Sequence, residues 1–538
     1  MSKANREARR IARANKANPE SFELTREAPF WLQRKNVLTL SLLLLGLVVY
    51  RFVVFAQTPG PPGSDAGNWL AFANELFGGN VKAATSMYFP VTLVLLKSLM
   101  LFAGPLVAVK LLGILASVAI GVPFFYLLRR SCSPVMAAAL TFCLLMAGYQ
   151  LEMLSWGGYP QLLASAFMLT SLILLDEGLT TGSRSKLLWA AGFGALIAGT
   201  HHFTLMMYAG IVALYVPAMV WRYRADLRTL TIRFATFAGA GLAFSAVFAP
   251  WYLKYMSIVA NSGSLNANAA AFGGINDVLS FVYAEAPLTW MLLMAGAPIV
   301  AFAPFGKPDG WRLRHIALPL IFGSAAFYLG THEVRVFQVM QIGILISFGA
   351  FCAKVEDYLR EKPLQFTVQR VGYATYGMAI AALVLLFGMN GMRHFDGAVH
   401  RYMGVDAQAK QALDWVRNNT PSDAKFLTAG GRQGWVNYAW WVEGYGERRS
   451  LGLIMPDFLA FREEREQTQI AARMVDEETP ATVVRELLEE QEIDYLFVYK
   501  PSGGAVQSIV NKVPVYLSYE NNAFVVLKVR RAEFASAN

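Results

Sequence analysis

Cysteine and charge are both scarce in this chain. Cys132, Cys143 and Cys352 are the only thiols in 538 residues, and Asp, Glu, Lys and Arg together make up 16%. Three thiols in or beside apolar runs indicate neither a disulfide framework nor a zinc site. A hydrophobic content of 55% and a mean hydropathy of +0.39 exclude an ordinary soluble protein of this length. There is no internal repeat, no low-complexity run and no Asp-x-Asp motif in the first loop or near Glu152. The N-terminal stretch does not read as a cleavable signal, because its basic segment is long and no small-residue cleavage site follows its apolar run.

What the chain has is a succession of apolar runs between Asn36 and Asn390. Each is about 20 residues long, the length that crosses a bilayer as a helix. Reading them as alternating crossings sorts the charges. The tail Met1–Lys35 and the loops near Arg129, Arg184, Arg224, Arg312 and Arg360 hold 24 Lys and Arg. The opposite loops and helix ends hold six: Arg51, Lys82, Lys97, Lys110, Lys254 and Arg335. The positive-inside rule makes the first set cytoplasmic and the second outer. The net charge of +10 then reflects basic loops beside anionic lipid rather than affinity for nucleic acid.

The expected architecture is an all-α membrane domain of about eleven transmembrane helices followed by a small extracytoplasmic α/β domain. The basic tail is 1–35, the multi-pass domain 36–390 with an outer loop 57–104, and the outer domain 391–538. Crossings start near Val37, Leu106, Val135, Leu162, Leu187, Phe203, Phe234, Leu288, Ile316, Val336 and Val371. Phe89–Phe102 is too short to cross, is interrupted by Lys97, and reads as a helix at the outer interface. In the last domain, Asp406–Asn418 and Ala481–Gln491 have helical periodicity. Ala424–Thr428, Asp494–Val498 and Asn521–Val529 read as strands.

Several polar residues fall at the outer ends of crossings. Asp65 lies in Pro61-Pro62-Gly63-Ser64-Asp65-Ala66-Gly67-Asn68-Trp69, where it also suits the cap of a helix Ala66–Leu76. Glu152 precedes Ser155-Trp156-Gly157-Gly158-Tyr159-Pro160-Gln161, an aromatic segment that equally fits an interfacial belt. His201 and His202 end the fifth crossing, and Glu333 and Arg335 lie between the ninth and tenth. Arg51, Lys110 and Lys254 are cations in or near apolar runs. They read either as snorkelling side chains or, with Arg335, as an anion-binding cluster. Together these residues are candidates for one outer cavity, since ionisable groups in membrane segments mark function by default.

This order of features resembles the GT-C superfamily of membrane glycosyltransferases, which includes oligosaccharyltransferase catalytic subunits, protein O-mannosyltransferases and aminoarabinose transferases. The likeness is carried by the basic N-terminus, the first crossing, and a long outer loop opening on Asp65-Ala66-Gly67-Asn68-Trp69-Leu70-Ala71-Phe72-Ala73. An interfacial helix and a crossing that ends in Arg129-Arg130 add to it. The resemblance implies a polyprenyl-phosphate-linked sugar donor, with transfer to a glycan, lipid or protein acceptor on the outer face of the plasma membrane. It implies Asp65 as general base with Glu152 as its partner acid. The donor phosphate is expected on Arg335, Lys110, Arg51 and Lys254, and the substrate among Trp156, Tyr159, His201, His202 and Glu333. No Asp-x-Asp indicates a divalent metal. Trp440-Trp441-Val442-Glu443-Gly444-Tyr445-Gly446 only echoes the oligosaccharyltransferase Trp-Trp-Asp-Tyr-Gly signature and fits an aromatic edge packed on the membrane domain.

Two other classes compete, a secondary transporter and a non-catalytic scaffold for the outer domain. A transporter predicts inverted repeats and polar residues at mid-depth, and neither is evident. A scaffold predicts that Asp65, Glu152 and Arg335 point apart.

Overall fold

The computed structural model describes residues 34–63, 65–78, 88–253, 308–331, 335–361, 366–432, 436–453, 462–502, 504–531 and 534, and the single helical positions Leu292 and Gly296. The membrane part starts with α1 (Arg34–Ala56), the short helices α2 (Asp65–Leu76) and α3 (Pro90–Met100), and the nearly continuous pair α4 (Pro105–Ala119) and α5 (Gly121–Arg129). Then come α6 (Pro134–Leu145), α7 (Gly148–Trp156), α8 (Tyr159–Thr181), α9 (Arg184–Ala198), α10 (His202–Arg222) and α11 (Leu227–Ser245). After residue 307 come α12 (Pro308–Thr331), α13 (Val336–Glu361) and α14 (Phe366–Arg401).

Among the described residues, seven helices are long and apolar enough to cross a membrane, or eight if α6 and α7, bent by 45° at their junction, form one span. The protein is thus a multi-pass membrane protein. Helices α9 and α12 stand at two further positions where the apolar runs place crossings. The crossing expected near Leu288 lies outside the described residues. Proline opens α3, α4 and α6, where its fixed φ suits the first turn and its missing N–H costs nothing. The short run after Tyr88 forms the eleven-residue helix α3, which buries Pro90, Thr92, Leu93 and Leu96.

One end of the bundle is laced by charge. At the end of α8, Glu177 is 1% exposed and pairs with Lys186 at 2.6 Å and with Arg130, while the Tyr126 hydroxyl donates to it at 3.0 Å. Its neighbour Asp176, fully buried, takes Arg312 at 2.7 Å and the Tyr215 hydroxyl at 2.9 Å. Burying a carboxylate is tolerable only when it is paired and hydrogen-bonded, as both are here. The cations come from several different loops of the basic set, so these two acids bind α5, α9, α10 and α12 to α8.

Beyond α14 the chain forms α15 (Ala407–Asn419), β1 (Lys425–Ala429), the small hairpin β2 (Gly431–Arg432) and β3 (Val436–Asn437), α16 (Tyr438–Gly444) and β4 (Arg449–Gly452). It ends with α17 (Arg462–Val475), α18 (Ala481–Glu490), β5 (Tyr495–Tyr499), α19 (Gly504–Val510), β6 (Val515–Glu520) and β7 (Phe524–Val529). The five-stranded sheet has the order β4-β1-β5-β7-β6. Strand β1 is parallel to β4 and β5, and the β6–β7 hairpin adds to β5 antiparallel. Helices α17 and α18 close one face, packing Met474, Val484 and Leu488 over Leu427, Leu496 and Val498. On the other side, α16 docks on α2. Gly444 stands so close to the Gly67 carbonyl and Leu70 that a β-carbon there would collide, and Trp441 packs over Gly67. The aromatic segment that echoed a catalytic signature is therefore a buried bracket between the α/β domain and α2.

Candidate active site

The loop that leads from α1 to α2 is pinned at three points. The Gly60 amide donates to the Val405 carbonyl at 3.1 Å and the Gly63 amide to the Tyr402 carbonyl at 2.7 Å. Lys110 on α4 donates from Nζ to the Thr58 carbonyl. Asp65 is the first residue of α2, partly buried, where a carboxylate is favoured by the positive end of the helix.

Opposite Asp65 is the elbow between α7 and α8. Gly157 ends α7 at φ +104°, a conformation other residues rarely adopt, and a β-carbon there would lie 2.8 Å from the Asp65 Cβ. Trp69 of α2 donates from Nε1 to the Gly157 carbonyl at 2.7 Å, locking helix to elbow. The same elbow receives Arg335, the residue before α13. The Arg335 guanidinium lies 5.0 Å from the Trp156 ring centroid, within cation–π range, and its carbonyl accepts from Gln161 Nε2 at 3.1 Å. Burial raises the Asp65 carboxyl to about 6, and the positive charge of Arg335 opposes the rise.

Arg335 is also within electrostatic reach of His201 and His202, whose rings lie 5.4 Å apart, with Phe89 5.6 Å from His202. Tyr159 is fully buried, its hydroxyl has no hydrogen-bond partner among the described residues, and it is within electrostatic reach of Asp65. Helices α2, α8, α10 and α13 all begin around these residues, at Asp65, Tyr159, His202 and Val336. Each directs the positive end of its dipole to this end of the bundle, a setting suited to an anion, although on α10 the Thr204 N–H is already taken by His201 Nδ1. The arrangement joins an acid able to take a proton near neutral pH to a cation and four helix N-termini able to hold negative charge.

Other sequence candidates go elsewhere. Glu152 on α7 turns to α14. The Tyr402 hydroxyl donates to Oε1 at 2.6 Å, Arg401 lies 3.5 Å from Oε1, and His394 Nε2 lies 3.0 Å from Oε2. Expected at the phosphate, Arg51 and Lys110 instead face protein oxygens. Arg51 is fully buried and donates to Ser117 Oγ at 2.6 Å and to the Leu145 carbonyl, so it ties α1 to α4 and α6. Inside a bundle a guanidinium meets such carbonyls because water is absent. Lys254 and Glu333 lie outside the described residues.

Trp69, Gln161, His394, Arg401 and Tyr402 were not singled out from sequence. Gln161 carried the one available signal, an amide in an apolar run, while the others depend on which distant segment folds against them. Among the described residues no group of three or more His, Cys, Asp or Glu gathers as a metal ion would need.

No family model matches the chain, and no curated protein matches it in sequence. Solved structures do match in fold. ArnT from Cupriavidus metallidurans bound to undecaprenyl phosphate is 13% identical, with 91% of this chain and 97% of that one covered at a TM-score of 0.57. Its apo state is 11% identical, with 91% and 98% covered at 0.54. The archaeal oligosaccharyltransferase AglB from Archaeoglobus fulgidus, in complex with an inhibitory peptide and a dolichol-phosphate, is 12% identical, with 93% of this chain and 74% of that one covered at 0.50. The chain therefore shares the fold of these structures over most of its length.

Proposed function

We propose that this protein is an integral membrane glycosyltransferase that moves a sugar from a polyprenyl-phosphate donor to an acceptor on the outer face of the plasma membrane. The observation that carries the reading is that Asp65 and Arg335 both pack against the Trp156–Gly158 elbow, within electrostatic reach of one another, at the end of the bundle away from the basic loops. Two proteins of the same fold hold undecaprenyl phosphate and a dolichol-phosphate, which supports a lipid phosphate as the carrier. The basic loops at the opposite end support a cytoplasmic N-terminus and an outer site.

In this reading the acceptor hydroxyl gives its proton to Asp65 as its oxygen bonds to the anomeric carbon. The bond from that carbon to the phosphate oxygen breaks, and the electron pair leaves with the phosphate. Arg335 and the helix N-termini stabilise the departing charge, the largest single contribution available to such a site. Trp156 supports Arg335, and Tyr159, His201 and His202 line the acceptor and sugar side. Glu152 acts as a structural clamp, while Arg51 and Lys110 hold α1 and the first loop.

The test is product formation in membranes supplied with polyprenyl-phosphate sugars, with Asp65→Asn as the variant. Asparagine keeps the size and capping ability of the side chain. Normal expression with transfer lowered by about 10²–10⁴ is expected for loss of a general base. Near wild-type transfer in well-expressed Asp65→Asn would overturn the assignment. The sugar is read from which lipid-linked sugar accumulates in cells lacking the protein.

A further inference from the structure

We infer that Gln161 is a positioning residue whose amide fixes Arg335 where the phosphate of a lipid-linked donor is held. The inference rests on the proposed function, in which Arg335 binds that phosphate.

Arg335 lies in the connection between α12 and α13, immediately before the first residue of α13. Two contacts on Arg335 come from the start of α8 and the elbow before it. Gln161 Nε2 donates to the Arg335 carbonyl at 3.1 Å, and the Trp156 ring carries the guanidinium. The same elbow presses Gly157 against Asp65 and accepts the Trp69 bond. Acid and cation are thus both set against the one elbow.

Gln161 acts through Arg335 because it cannot meet a substrate itself. It is 1% exposed and sits on a buried polar ladder, with its Nε2 3.5 Å from Gln338 Oε1, which accepts from Ser165 Oγ at 3.0 Å. A leucine would fill that position in a membrane bundle at less cost, since Gln161 Oε1 accepts no hydrogen bond among the described residues and only the Nε2 contacts offset burial of the amide. Holding a binding group in its productive geometry before the ligand arrives is what raises affinity.

The experiment measures binding of undecaprenyl phosphate to the full chain in nanodiscs, for wild type, Gln161→Met, Arg335→Met and the double variant. Gln161→Met should weaken binding by about three- to tenfold, the worth of one neutral hydrogen bond. The double variant should be no weaker than Arg335→Met, because the amide has nothing left to position. In the transfer assay Gln161→Met should raise KM for the donor and leave kcat in place. If Gln161→Met does not fold, Gln161→Glu keeps the shape and lacks the Nε2 donor. Losses that add in the double variant, or unchanged binding in Gln161→Met beside weakened Arg335→Met, would sink the positioning role alone. Unchanged binding in Arg335→Met would remove the phosphate reading and this inference with it.

Discussion

Glu152 accepts a hydrogen bond of 2.6 Å from the Tyr402 hydroxyl, and with His394 and Arg401 beside it this acid clamps α7 to the end of α14. The same Tyr402 offers its carbonyl to Gly63, two residues before Asp65. Glu152 therefore bears on the site through the loop that carries Asp65.

Removing that acid should cost stability first. Glu152→Leu removes the acceptor of the half-buried Tyr402 hydroxyl and the charge beside His394 and Arg401, and a buried donor that loses its acceptor costs about 1–3 kcal/mol. A fall of several degrees in the unfolding temperature in detergent is expected, with a milder fall in Glu152→Gln, which keeps an acceptor oxygen for Tyr402. Full stability in Glu152→Leu combined with a large loss of turnover would return Glu152 to the chemistry.

Asp65 sets a pH dependence of opposite sign on rate and on stability. With its carboxyl raised from 3.8 to about 6, kcat/KM should climb as pH rises through about 6, because the base must be ionised. The folded state binds this proton more tightly than the unfolded chain, so stability from Asp65 is fully present below about pH 4 and is lost as pH rises through about 6. Asp65→Asn removes the dependence. The variant should therefore gain on wild type in thermal stability at pH 7.5 compared with pH 4. A constant difference between the two at all pH values would show that the carboxyl titrates normally.

Gly444 should matter for a site it does not touch. Adding a methyl group there drives it into the Gly67 carbonyl and Leu70 of the helix that begins with Asp65. Overpacking of this kind costs about 1–3 kcal/mol. Gly444→Ala should loosen α16 from α2, expose residues 402–406 to limited proteolysis and lower transfer. Wild-type protease resistance would mean that the two domains hold together elsewhere.

Arg51 and Arg335, both cations near the same end, should respond differently to replacement by methionine. Arg51→Met breaks the links to Ser117 and Leu145 and should lower expression and unfolding temperature with donor affinity unchanged. Arg335→Met should keep stability and weaken donor binding about ten- to a hundredfold, the cost of a charge-assisted contact. Weakened donor binding in a well-folded Arg51→Met would put that cation back at the phosphate.

The crossings among the described residues, the short helix after Tyr88 and most of the C-terminal α/β domain were legible in sequence because each follows from local pattern. Apolar run length decides whether a helix spans, and alternation or helical periodicity decides strand or helix. Thus Asp406–Asn418 forms Ala407–Asn419, and Asp494–Val498 forms Tyr495–Tyr499. The charged helix Arg462–Val475 and the short strand Arg449–Gly452 carried weaker patterns and emerge only in the structure. Asp65 and Arg335 were placed at one end by charge sorting alone. Which acid faces which cation was not, because that depends on how each helix is turned about its axis and on contacts between segments far apart in the chain. Glu152 and Arg51 face α14 and α4, and a turn of one helix by a single residue position, about 100°, is enough to make that difference.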